Sequence, residues 1–173
     1  MSLFQQLCES MQEAEKRQYA FFDAARRMSF HFAESLREHI DAPREWATPT
    51  DAEKPDPKTG PYITPIPVDE HWNEVQREGH PFASMYINKD KFFLFHLMVM
   101  LERGEKIFPK SVYKFKCGVR PQANDSCLLF VAHAHGGDQQ IKEFPCDKDS
   151  GFIEPAKYVV QLLRQLLEAD IFA

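Results

Sequence analysis

The chain has 173 residues, 43% of them hydrophobic and 27% charged, with a formal net charge of −5. These values suit one domain (1–173) with a real core, and they give no support to a general electrostatic attraction to nucleic acid or to an anionic membrane surface. The four cysteines (Cys8, Cys117, Cys127, Cys146) include no Cys-x-x-Cys pair, which argues against a zinc ribbon or a thioredoxin-type site and suits reduced thiols in the cytoplasm.

The opening MSLFQQLCES has no basic or apolar region of signal-peptide type, so a cytoplasmic location is expected. Phe4, Leu7, Met11, Ala14, Phe21, Ala25, Met28, Phe32 and Leu36 recur at steps near three and four, with Gln18 interrupting. No Pro or Gly precedes Pro43. This pattern predicts an amphipathic helix over about 1–40, several times the usual three turns. Such a helix outruns one compact core, so Phe21, Met28 and Phe32 are candidate contacts to a protein partner or a second copy. The plainer alternative is a helix lying along the chain's own sheet.

Residues 41–60 carry four prolines and many charges, and read as a Pro-rich loop or linker before an α+β core at 61–173. Pro61, Pro65 and Pro67 confine Tyr62–Val68 to extended chain or an edge strand. Asp69 is placed to cap a short helix through Glu78, stopped by Gly79 and Pro81. On that helix His71, Glu74 and Glu78, near His80, read as a charged outer face. Phe82–Ile87 predicts a strand. Lys91–Arg103 is ambiguous: its apolar run suits a buried strand, but its Leu and Met content and the flanking Asn88, Asp90 and Gly104 favour a helix.

Ser111–Val119 and Cys127–His135 are strand-like, and Gly136-Gly137 predicts a tight hairpin leading into Asp138–Phe144. The result is an antiparallel β-meander. Cys117 and Cys127 flank one of its connections, where nothing further supports a disulfide. A closing helix follows, with Pro155 in its first turn and a stripe of Val159, Leu162, Leu163, Leu166, Leu167 and Ile171. The fold class is α+β: a long N-terminal amphipathic helix and a C-terminal helix packed on an antiparallel β-meander.

Two constellations could carry chemistry. Across a two-residue Gly-Gly turn His135 pairs with Asp138 and His133 with Gln140. That puts His133, His135 and Asp138 on one face, a donor set suited to Zn or Fe and to a metal-dependent enzyme. The competing reading is a solvated polar hairpin tip. Lys106, Lys110, Lys114, Lys116 and Arg120 form a run without acidic residues, a candidate nucleic-acid or anion contact. Strand alternation separates Lys114 and Lys116 from Tyr113, Phe115 and Cys117, which favours a solvated basic face instead. No Gly-rich phosphate loop, Gly-x-Ser-x-Gly elbow or His-Glu-x-x-His occurs. The leading expectation is a non-enzymatic interaction module of adaptor, chaperone-like or inhibitor type, without a cofactor.

Overall fold

In the computed structural model the described residues are 2–47, 59–75, 86–102, 111–133, 140–147 and 149–171. Helix α1 (Leu3–His39) runs for 37 residues, about 55 Å at 1.5 Å per residue. Ser2 starts it: its Oγ accepts from the Gln5 N–H at 3.2 Å while Gln5 Oε1 accepts from the Ser2 N–H at 2.8 Å. Two otherwise orphaned donors are thereby satisfied. At its end Arg37 grips Glu34 with two bonds, at 2.9 and 2.7 Å, and donates to the Ala42 carbonyl at 3.1 Å. The chain then turns through Asp41, whose φ is 53°.

Two short strands, β1 (Glu45–Ala47) and β2 (Thr59–Pro61), pair as an antiparallel ribbon at the borders of the Pro-rich segment. Five more strands form one antiparallel sheet in sequence order: β3 (Ile63–Pro67), β4 (Phe93–Leu101), β5 (Ser111–Pro121), β6 (Cys127–His133) and β7 (Gln140–Cys146). The proline-bearing β3 lies at the edge, where a missing N–H costs no ladder bond. Helix α2 (Ile153–Ile171) closes the chain. The α+β architecture, with its two terminal helices and antiparallel meander, is therefore as expected.

Two local expectations are corrected. The helix favoured for Lys91–Arg103 is strand β4, hydrogen-bonded to β3 on one side and β5 on the other. Its alternate residues Phe93, Phe95, Leu97 and Val99 are buried in the main core, and Leu94 is buried on the opposite face. A strand with both neighbours in place and partly covered on both faces reads as continuous apolar sequence, and tertiary pairing overrides the helical preference of Leu and Met. Asn88 caps no helix. Its Oδ1 accepts from the Asp90 and Phe92 N–H groups at 3.1 and 2.8 Å, and the turn brings Ile87 back to pair with Phe93.

The second correction is at Asp69. In place of the first turns of a helix, Asp69 Oδ1 accepts from the His71 and Asn73 N–H groups at 2.8 and 2.9 Å. Glu74 then bridges back to Val68. Residues 76–78, the rest of that expected helix, and 82–85 of the expected strand lie outside the described residues.

Both helices cover the same face of the sheet. Phe22, Ala25, Phe32, Ala33 and Leu36 of α1 and Ala156, Val159, Leu162 and Leu163 of α2 join the inward residues of β4–β7 in one core. Each large apolar side chain fully buried there contributes about 1.5–3 kcal/mol. The opposite face carries a smaller cluster of Val68, Phe92, Leu94, Phe130 and Ala132. Among the described residues no helix is long and apolar enough to cross a membrane.

Candidate functional site

The apolar series on α1 steps alternately by three and four from Phe4 to Phe32 when Gln18 is counted within it. That is a heptad seam. The structure divides it in two. From Phe22 onward the seam faces the chain's own sheet, with Ala25, Phe32 and Leu36 buried. From Leu3 to Ala20 every residue is exposed. Phe4 is 75% exposed, Leu7 61% and Met11 65%, with Leu3 and Ala14 beside them. The first 18 residues of α1 thus overhang the body by about 27 Å, carrying the same face that packs further along.

The residues expected to meet a partner occupy the other half. Phe32 is fully buried, its ring 5.9 Å from that of Phe152. Phe21 and Met28 are half-buried against the same core. The uncovered part of the seam is Phe4, Leu7, Met11 and Ala14, four positions of one series whose division only the tertiary fold reveals.

The outer face of the sheet gathers the basic residues with aromatic rings, which alternation along β5 alone does not show. Lys114 pairs with Glu74 at 2.5 Å. Lys116 Nζ stands 5.1 Å from the Trp72 ring centroid, and the Arg120 guanidinium 4.8 Å from that of Phe92. Arg120 also donates to the Asp90 carbonyl at 3.0 Å. These three cations are engaged within the chain. Lys106 and Lys110 lie outside the described residues.

Trp72 holds this face together, with His96 stacked on it at 5.8 Å and Phe130 edge-on at 6.5 Å. Its φ of 64° is a left-handed conformation that costs a bulky residue about 1–3 kcal/mol. The Asp69 turn supports it, the Trp72 N–H donating to the Asp69 carbonyl at 3.1 Å. An open cavity of about 400 Å³ lies beside these rings, walled by Tyr86, Asn88, Phe92 and Glu143.

His96 Nδ1 is buried 3.5 Å from Glu74 Oε1, too long for a strong hydrogen bond. Burial lowers the His96 pKa from its usual 6.5, Lys114 and Lys116 push the same way, and Glu74 opposes them. Glu74 itself is held below the ordinary carboxylate range, chiefly by the hydrogen bond from Lys114. A neutral imidazole stacked on an indole beside a charge-paired carboxylate is a packed polar cluster that ties the 68–75 turn to β4 and β5.

At the hairpin, β6 pairs with β7 in the register expected of a Gly-Gly turn, ending at His133 opposite Gln140. His135, Asp138 and the turn lie outside the described residues, as does the His133 side chain. Among the described residues no three His, Cys, Asp or Glu side chains are gathered to hold a metal ion. No protein-family model, curated protein or solved structure matches the chain.

Proposed function

We propose that this chain is a protein-interaction module of adaptor type, and that the overhanging half of α1 pairs with the same segment of a second copy. The observation that carries this reading is the heptad seam left bare from Leu3 to Ala20. An isolated helix of this length is marginal in water, and most helical stability comes from covering an amphipathic face. A capped and regular helix with an uncovered seam therefore gains most from a second helix. Two such helices in contact along ~27 Å bury on the order of 1,000 Å², about the least a specific interface needs. Gln18 occupies one seam position, where a polar residue sets register at some cost in stability.

The test is a double substitution, Leu7→Asp with Met11→Asp, compared with the natural chain. Both side chains lie outside the core. The variant is expected to lose association and part of its helical circular dichroism while keeping the denaturation midpoint of the natural monomer. Unchanged association would overturn the proposal.

A further inference from the structure

Cys127 and Cys146 stand directly opposite one another at the start of β6 and the end of β7. The meander sets this pairing, bringing together two residues 19 apart in sequence; the connection flanked by Cys117 and Cys127 leads instead to different partners, Cys117 facing Val131. Directly paired residues of an antiparallel ladder have Cα atoms about 4.5–5.5 Å apart, within the span a disulfide bridges. Both thiols are free, and both side chains are almost wholly buried. They nevertheless form part of the wall of an open cavity of about 380 Å³ between α1 and the start of α2, with Arg27, His31, Asp147 and Phe152 around it. Both cysteines of the pair thus border the same cavity.

We propose that Cys127 and Cys146 are a reactive dithiol that exchanges with low-molecular-weight disulfides, closing reversibly into an intrachain disulfide across β6 and β7. The two sulfurs are not equivalent. The Cys146 thiol donates to the Phe144 carbonyl at 3.6 Å, and its interaction with the Cys127 side chain holds the Cys127 thiol below its ordinary range. The same interaction, with burial and the neighbouring Asp147 carboxylate, raises that of Cys146. Asp147 is fixed in place by the Ser150 N–H at 2.6 Å and the Ser150 hydroxyl at 2.7 Å. Cys127 is assigned the attacking role, with Cys146 resolving. Its thiolate displaces one thiolate from the small disulfide and forms a mixed disulfide; the proton it gave up goes to that leaving group. The Cys146 sulfur then attacks the Cys127 sulfur, expelling the second small thiolate, which takes the Cys146 proton. Two electrons pass from the protein to the small disulfide, which leaves as two thiols.

Cys117 is the internal control. It is fully buried between Phe95 and Val131, with its thiol raised by burial. The experiment uses the whole chain carrying Cys8→Ser, which removes the exposed cysteine. The native protein is incubated with excess 2-hydroxyethyl disulfide, freed of reagent, and its thiols are counted after denaturation. The count is expected to fall from three to one, with an intact mass two hydrogens lower, no adduct, and a proteolytic peptide pair joined through Cys127 and Cys146. Dithiothreitol should restore three thiols. Adding Cys146→Ser should leave a stable adduct on Cys127. Three thiols surviving in the folded protein, a lasting adduct with Cys146 present, or a bridge to Cys117 would overturn the proposal.

Discussion

The contact between Gly118 and Phe130 makes the most quantitative prediction about the outer face. The two residues are direct partners across β5 and β6. A Cβ added at Gly118 would stand 2.2 Å from Phe130 Cε1 and 2.7 Å from Cζ. The ring has little room to retreat, because it packs edge-on against Phe92 at 5.0 Å and Trp72 at 6.5 Å. Gly118→Ala should therefore destabilise the chain by about 1–3 kcal/mol through overpacking. Phe130→Ala should cost about 3 kcal/mol, at the lower end for a buried ring because this cluster is small. With the ring gone, the three atoms nearest a Cβ at 118 are removed, and alanine benefits from its lower backbone entropy, about 0.5–1 kcal/mol relative to glycine. The sign of Gly118→Ala should thus reverse between the two backgrounds, a coupling of about 1.5–4 kcal/mol. Urea denaturation of the natural chain, both single variants and the double variant measures it. Equal costs of Gly118→Ala with and without Phe130 would refute the steric account.

Phe32→Ala should cost about 3–5 kcal/mol in the same denaturation assay while leaving the native association state unchanged, because Phe32 serves the chain's own core; a change in association without loss of stability would refute this. His96, whose pKa is lowered by burial, makes stability fall with acid. Below about pH 6.5 the unfolded chain takes up a proton that the folded chain refuses, until the lowered folded value is passed. His96→Gln should therefore lose less stability than the natural chain between about pH 7 and about pH 5, and equal losses would count against the burial argument. Because Lys114, Lys116 and Arg120 are engaged internally, single-stranded nucleic acid should show no steeply salt-dependent binding; a slope of several phosphates that Lys114→Glu with Lys116→Glu flattens would revive the nucleic-acid reading.

The legible parts of the fold were those with a strong local signal. The heptad-like series of α1, the stripe of α2 and the Gly-Gly register each depend on residues close in sequence. The identity of β4 was not legible, because Phe92–Leu101 satisfies a helix and a doubly covered strand equally well, and only the pairing with β3 and β5 decides between them. The outer aromatic cluster was hidden for a related reason. Alternation along β5 separates lysines from aromatics, but Trp72, Phe92 and Phe130 arrive on the lysine face from three other segments. The seam on α1 was visible while its division was not: nothing in the spacing of Phe4, Leu7, Phe21 and Phe32 says where the sheet ends. The pairing of Cys127 with Cys146 follows from the hairpin register once that register is extended along the strands, since each pair in it sums to the same number as His133 and Gln140.

The central claim, that the overhanging half of α1 joins two copies, is tested most directly by sedimentation equilibrium of the natural chain over a wide concentration range. The account predicts a mass approaching twice 20.1 kDa, with a monomer appearing only on dilution. A mass that stays at 20.1 kDa at every concentration would contradict it.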